Sequence, residues 1–209
     1  MRAKRSRSRA KALGLAGLLV AWSLVAPRLP SRWHPVPHAV VGAALAALTR
    51  APAGFRHPGP GLRFGLGAAA PVVLGVAAAT AFPRVRGRMA DSVLPDGALT
   101  WLLLGIPLGT VWSEEAAFRG ALGTVADAAF GPAGGRILQA GAFGLSHIAD
   151  ARSTGEPIVP TVLVTGVAGW VFGWLYERSG SLLAPMLAHL AINEAGAVAA
   201  LAVQNSRRE

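Results

Sequence analysis

The chain has 209 residues, a formal net charge of +10 and no cysteine, so disulfides, thiolate metal sites and a cysteine nucleophile are excluded. Hydrophobic residues make up 53% of it and charged residues only 14%, and its mean hydropathy is +0.46. A soluble domain is about 25% charged, so the composition indicates an integral membrane protein with room for about six to eight spans of roughly 20 residues.

A basic run precedes the first apolar stretch. Lysines and arginines crowd the first 11 residues, and the apolar stretch extends from Leu13 to Ala26. Nucleic-acid binding is one alternative, but neither interleaved aromatic residues nor a recognition helix accompanies the run. A secretory signal is another, and Pro27 disfavours it because proline is a poor residue after a cleavage point. We expect an uncleaved first span whose basic end lies in the cytoplasm, and no nucleic-acid partner.

Apolar runs punctuated by proline, glycine and arginine predict membrane segments at about 12–27, 36–49, 64–82, 98–120, 136–149, 158–176 and 182–203. The predicted fold is all-α: a polytopic membrane bundle of about seven (six to eight) transmembrane helices. Segments 36–49 and 136–149 are short for a crossing, so we expect them to be tilted, re-entrant or extended at their ends. Gly166, Gly169 and Gly173 recur at helical spacing and predict a close contact between helices.

The first of three polar motifs is Glu114-Glu115-Ala-Ala-Phe-Arg119. A charge near the bilayer centre costs about 2.5–3.5 kcal/mol, so such residues persist when they pair, bind or react. In a helix, Glu115 and Arg119 lie on one face, and Glu114 is rotated by about 100° from Glu115. We expect Arg119 to neutralise Glu115 and leave Glu114 facing a cavity as a candidate general base. An ion-pair network without a reaction is the alternative.

The other two motifs each contribute a histidine. Phe143 and His147 are four residues apart and share a helix face, as do His189 and Asn193. A single histidine in an apolar helix often only packs. Alternatively, an imidazole and an amide can donate hydrogen bonds to an oxyanion, or both histidines can bind a metal together with Glu114. Two histidines and a carboxylate are a known zinc ligand set, and the spacing leaves these alternatives open.

In this order, the motifs resemble the signature of the CAAX protease and bacteriocin-processing (CPBP, or ABI) family of intramembrane endopeptidases: Glu-Glu-x-x-x-Arg, Phe-x-x-x-His and His-x-x-x-Asn or Asp. No motif position departs from that pattern. The resemblance covers about residues 98–203. It divides the chain into residues 1–97, with the basic head and helices that carry no family motif, and a catalytic core over 98–209 in the same membrane domain.

The resemblance implies an all-helical membrane fold with a catalytic cavity inside the bilayer. It also implies that Glu114 activates water with the help of Glu115 and His147, and that His189 and Asn193 stabilise the tetrahedral oxyanion. Family accounts divide between a metal-independent glutamate mechanism and a metalloprotease mechanism. In the second case, Glu114, His147 and His189 would be the ligands of a Zn²⁺ cofactor.

Two further residues belong to the expected site. Arg119 would neutralise the charge of Glu115, and Phe143 would form part of the pocket wall beside His147. The predicted function is hydrolysis of peptide bonds in a membrane-associated protein or peptide. The Ala-, Gly- and Arg-rich composition suggests a GC-rich bacterium, so we expect the protein in a bacterial cytoplasmic membrane. Eukaryotic relatives remove the last three residues of prenylated proteins, but CAAX prenylation is not expected in such a bacterium. The substrate of the eukaryotic relatives therefore cannot be assigned to this chain.

Two other functions compete with proteolysis. One is a non-catalytic membrane scaffold or bacteriocin self-immunity protein that keeps the ion pairs for structure. The other is a small transporter with a proton path through glutamate and histidine, and the absence of duplicated halves counts against it. The sequence does not predict the oligomeric state.

Overall fold

The structure, a computed structural model, describes residues 2–28 and 35–207, with side chains in the basic run described from Arg5 onward. No β-strand occurs in these residues, so the all-α prediction is confirmed. A short 3₁₀ turn, Ala26–Arg28, follows the first helix. The helices are α1 Arg2–Val25, α2 Val36–Leu48, α3 Pro58–Thr80, α4 Pro83–Asp91, α5 98–122, α6 Gly123–Ser146, α7 Ile148–Thr154, α8 Ile158–Ser179 and α9 Leu183–Asn205.

Every predicted membrane segment overlaps a helix. Among the described residues, four stretches are long and apolar enough to cross a bilayer: Arg5–Val25, Pro58–Thr80, Ile158–Ser179 and Leu183–Asn205. Helix α2 is apolar but has 13 residues, which span about 20 Å at 1.5 Å per residue. The structure therefore has the helical membrane bundle that the sequence predicts.

The bounds predicted for segment 136–149 are wrong. Helix α6 is broken at Gly131, where φ is 77° and ψ is 168°, and its second half resumes at Pro132, because proline suits the first turn of a helix. That half ends at Ser146. His147 has φ −86° and ψ 4° and separates it from α7. His147 is therefore placed at a helix end and not within a continuous span.

Helix α5 departs from α-helical geometry. It is π-helical over Trp101–Trp112 and Glu115–Leu122, with Pro107 inside the first stretch. Proline has no N–H to donate and its ring clashes with the preceding turn of an α-helix. The π-helix, with i→i+5 hydrogen bonds, is rare, occurs mostly as single-turn bulges in α-helices and is frequent at functional sites. The first polar motif begins at the junction of the two stretches.

The helices run between two ends of the bundle. At one, the head end, the Arg9 guanidinium lies 5.6 Å from the ring centroid of Phe130, and the N–H of Leu182 donates to the carbonyl of Ala53. At the other, the far end, Gln204 Nε2 donates to the carbonyl of Ser92 at 2.8 Å. The head end comprises residues 5–11, 49–57, 123–136 and 176–183. The far end comprises residues 80–92, 156 and 204–207, which are joined by the ion pairs of Arg88 with Glu156 and of Arg207 with Asp91.

Helices α6 and α8 cross closely through small residues. A Cβ added at Gly144 would lie 2.5 Å from the Val162 carbonyl oxygen, and one added at Gly169 would lie 2.8 Å from Phe143 Cδ1. A Cβ at Gly173 would meet Gln139 Oε1 at 2.7 Å. The predicted close contact is confirmed, and it places Phe143 in the middle of the bundle. Around this crossing, α1 packs against α6, α2 against α5, and α3 against α9.

Candidate active site

A fully buried ion pair is at the base of the site. Arg119 Nε lies 2.8 Å from Glu115 Oε2, and neither side chain has any exposed surface. The Arg119 guanidinium carbon is 4.0 Å from the ring centroid of Phe143 and 4.9 Å from that of Phe172. Aromatic faces attract a desolvated cation, so the rings support the charge where water is absent. Glu115 and Arg119 therefore pair as predicted, across a π-helical turn.

His189 joins the two glutamates. Its Nδ1 lies 2.7 Å from Glu115 Oε1, and its Nε2 lies 3.9 Å from Glu114 Oε2. Its ring stacks on Phe172, with centroids 5.0 Å apart. A carboxylate that accepts a hydrogen bond at Nδ1 fixes the tautomer and orientation of an imidazole. Glu115 therefore holds His189 with Nε2 directed toward Glu114.

Glu114 lines a cavity of about 630 Å³. Its side chain is 28% exposed, and its Oε2 is buried without a hydrogen-bond partner among the described residues. The separation of 3.9 Å from His189 is too long for a hydrogen bond. Arg119 neutralises Glu115, whereas the side chain of Glu114 stays partly exposed at the cavity. Helices α1, α2, α5, α6, α8 and α9 enclose this space.

His147 borders the same cavity but is held separately. Its Nδ1 lies 2.8 Å from the carbonyl oxygen of Phe143, and the two rings meet edge to face at 4.7 Å. If Nδ1–H donates to this carbonyl, Nε2 remains an acceptor. No hydrogen bond or ion pair joins His147 to Glu114 or His189 within the described part of the chain. The predicted shared face of Phe143 and His147 is thus present.

Asn193 lies one turn after His189 on α9 and also lines the cavity. Its Nδ2 donates to the carbonyl oxygen of His189 at 3.1 Å, which fixes the amide against its own helix. An amide nitrogen has two hydrogens, so one N–H remains for another acceptor. The structure therefore brings Glu114, His147, His189 and Asn193 to one cavity, with Glu115 and Arg119 immediately behind.

One family model matches the part of the chain that holds this arrangement. Residues 96–195, which contain all three motifs, match the Rce1-like family of type II CAAX prenyl endopeptidases. The chain carries an Rce1-like domain. This confirms the resemblance to the CAAX proteases over these residues, and the long apolar helices agree with a membrane protein. No curated protein and no solved structure matches the chain.

The side chains of the Rce1-like domain do not form a metal site as placed. Within residues 2–28 and 35–207, no group of three histidine, aspartate or glutamate side chains is arranged to hold a metal ion. His189 Nδ1 is already engaged by Glu115, and His147 Nδ1 by a backbone carbonyl. These two contacts leave Nε2 of each ring available, as in a metal-ligating histidine, but the side chains as placed are not gathered around one point, and no step below passes through a metal.

Residues outside the Rce1-like domain complete the cavity wall, and motif reasoning did not find them. Trp22 and Ser23 of α1 and His38 of α2 line the cavity, and the rings of Trp22 and His38 are 5.8 Å apart. A polar residue in an apolar helix signals such a role only weakly. Asp150, on α7, lies at the rim, and partial burial raises the pKa of its carboxyl while the nearby His147 lowers that pKa less.

Proposed function

We propose that the chain is an intramembrane endopeptidase in which Glu114 activates water to hydrolyse a membrane-associated protein or peptide. One observation carries this proposal: the side chain of Glu114 lines the cavity and is 28% exposed, and behind it Glu115 is already neutralised by Arg119. A general base must reach a water molecule in the cavity and be free to take its proton. Glu114 meets both requirements.

Glu115 is a poor candidate for the base. Its side chain has no exposed surface, Arg119 lies beside Oε2, and His189 occupies Oε1. A proton placed on Glu115 would leave Arg119 as a buried charge without its partner, which is costly. We propose that Glu115 is a positioning residue that holds His189 and carries the counter-charge of Arg119.

The proposed reaction needs a group that accepts a proton from water and groups that donate hydrogen bonds to the oxyanion. Glu114 removes a proton from water as the water oxygen bonds to the scissile carbonyl carbon. The tetrahedral intermediate then collapses with cleavage of the C–N bond, and Glu114 returns the proton to the leaving amine. His189, through Nε2, and Asn193, through its second amide hydrogen, would stabilise the oxyanion. His147 Nε2 would accept a hydrogen bond from the water or the substrate backbone.

The ion pair behind the cavity supports this assignment. Arg119 neutralises Glu115 where neither side chain is exposed, so the partly exposed Glu114 is the carboxylate that remains available at the cavity. The cell is proposed to be bacterial and the site to lie in its cytoplasmic membrane.

A comparison of terminal peptides from whole cells tests the proposed function. N- and C-terminal mass spectrometry is applied to membrane and secreted fractions from cells that carry the wild-type protein, Glu114→Gln or Glu194→Gln. Glu194 is a glutamate on α9 that does not line the cavity, so its variant is the matched control. A new terminus is expected with the wild type and the control and is expected to be missing with Glu114→Gln. Identical peptides in all three, with equal amounts of protein in the membrane, would favour the scaffold alternative.

A further inference from the structure

We infer that α4 binds an anionic phospholipid in a shallow groove at the membrane surface. Helix α4, Pro83–Asp91, precedes the Rce1-like domain, and none of its residues lines the cavity that holds Glu114. The ligand is a glycerophospholipid whose phosphate meets two arginines and whose acyl chain meets the apolar edge of the groove. This lipid site is separate from the candidate active site, and its existence does not depend on proteolysis.

Helix α4 lies at the level where three candidate membrane spans end. Two residues separate it from Thr80, the last residue of the α3 span. Arg88 pairs with Glu156, which lies two residues before the α8 span begins. Gln204, in the last turn of the α9 span, donates from Nε2 to the carbonyl of Met89 at 3.1 Å. The ends of these spans mark a bilayer surface, so α4 lies in the region of the lipid headgroups.

Exposed apolar side chains flank α4 at both ends. Phe82, directly before the helix, is 64% exposed, and Val93, shortly after it, is 98% exposed. Within the helix, Val85 and Met89 are four residues apart and share one partly buried face. At an interface, such apolar groups enter the boundary of the acyl chains while basic side chains stay among the headgroups. The sequence and exposure of α4 are therefore those of an interfacial amphipathic helix.

Two arginines lie beside this apolar face. Arg84 and Arg88 are also four residues apart, on a face rotated by about 100° from the apolar one. Together with Val85, Met89 and Ser92, they line a surface groove of about 430 Å³. One edge of the groove is cationic and the other is apolar. These two edges match the two parts of a phospholipid, the phosphate and the beginning of the acyl chain.

The cationic edge can accept a phosphate. Within the part of the chain that the structure describes, Arg84 forms no hydrogen bond or ion pair. Arg88 does pair with Glu156, but both side chains are exposed, and exposed ion pairs are weak. A guanidinium group binds phosphate through two parallel hydrogen bonds, which makes arginine well suited to this ligand. Basic residues next to membrane helices also attract anionic lipids.

Native mass spectrometry of the protein purified in detergent tests the site by counting bound lipids. The wild type, Arg84→Gln and Arg86→Gln are each titrated with phosphatidylglycerol, which is anionic, and with phosphatidylcholine, which is zwitterionic. Arg86→Gln is the matched control, because it removes the same charge from the same helix but lies outside the groove, where Arg86 Nη2 donates to Ser206 Oγ at 3.1 Å. Arg84 is exposed, so Arg84→Gln should melt with the wild type before lipid is added.

We expect the wild type and Arg86→Gln to bind phosphatidylglycerol more tightly than phosphatidylcholine. Arg84→Gln should bind phosphatidylglycerol about tenfold more weakly or worse, because hydrogen bonds from a charged donor to the phosphate are lost. Binding of a lipid to the folded state also stabilises that state, so phosphatidylglycerol should raise the melting temperature of the wild type and the control more than that of Arg84→Gln.

Four outcomes would overturn the inference. Unchanged affinity in Arg84→Gln would mean that the groove is not the site, and equal losses in Arg84→Gln and Arg86→Gln would mean that only the summed charge of α4 attracts lipid. Equal binding of the two lipids would mean that net charge is not recognised. Displacement of phosphatidylglycerol by an equal concentration of inorganic phosphate would mean that the groove binds free phosphate and not a lipid. None of these measurements involves cleavage, so each is independent of the test of the proposed function.

Discussion

Removal of the charge on Arg119 is expected to destabilise the bundle strongly. Its ion pair with Glu115 has no exposed surface, and the guanidinium packs on the rings of Phe143 and Phe172. Arg119→Met keeps much of the side-chain length but removes the charge. Glu115 would then be a buried carboxylate with only His189 beside it, and the rings would lose their cation.

The magnitude follows from these contacts. Breaking a buried pair by removing one partner costs about 3–5 kcal/mol. For a protein of 150–250 residues, each kcal/mol lowers the melting temperature by about 2–4 °C, so the expected decrease is about 6–20 °C. The double variant Glu115→Gln with Arg119→Met removes both charges and should be more stable than the single variant, because no unpaired charge stays buried.

Tryptophan fluorescence of the protein purified in detergent can report unfolding, since the chain contains six tryptophans. Arg88→Met is the surface control: Arg88 and its partner Glu156 are 64% and 44% exposed, and such a pair contributes less than about 1 kcal/mol. The reasoning is refuted if Arg119→Met melts within about 2 °C of the wild type, or if it and Arg88→Met lose the same amount.

Three further predictions concern packing, catalysis and metal content. Gly169→Ala would place a Cβ 2.8 Å from Phe143 Cδ1 and should lower the free energy of unfolding by about 1–3 kcal/mol. The control Gly166→Ala, whose added Cβ has its nearest atom at 3.6 Å, should melt close to the wild type. Equal melting temperatures of the two variants would contradict the close contact at Gly169. His147→Ala should lower the cleavage rate by about 100-fold or more, because the side chain lines the cavity, with little change in melting temperature. Full activity would remove this residue from the reaction. Proteolytic activity should persist after a chelator is added, and elemental analysis of the purified protein should find much less than one zinc per chain. Loss of activity on chelation, with recovery when zinc is added, would instead favour the metal mechanism.

Contacts between neighbouring residues of one helix were predictable from the sequence. The pairing of Glu115 with Arg119 and the shared face of Phe143 and His147 both follow from a spacing of four residues. The segment is π-helical and not α-helical as the spacing assumes, but Arg119 still reaches Glu115 across one turn, so the predicted ion pair forms. The roles of these residues in catalysis remain predictions.

Contacts between distant segments were not predictable in the same way. His189 Nδ1 meets Glu115 Oε1 across 74 positions of sequence, and only the packing of α9 on α5 brings them together. Similarly, an apolar helix carries no strong signal of which face it turns to a cavity, so the contributions of Trp22 and His38 appear only in the fold. Helix α6 breaks at Gly131, which has a positive φ. The sequence did not show that this one glycine would end the helix, so the bounds predicted for segment 136–149 differ from those of the helix.

The most direct test of the central claim is cleavage by purified protein in proteoliposomes. The substrate is a synthetic peptide that spans a terminus found in the whole-cell comparison, and the proteins are the wild type, Glu114→Gln and the control Glu194→Gln. The account predicts cleavage at that bond by the wild type and the control, and a loss of at least about 100-fold in Glu114→Gln, whose melting temperature should stay close to that of the wild type. Cleavage by Glu114→Gln at the wild-type rate would contradict it.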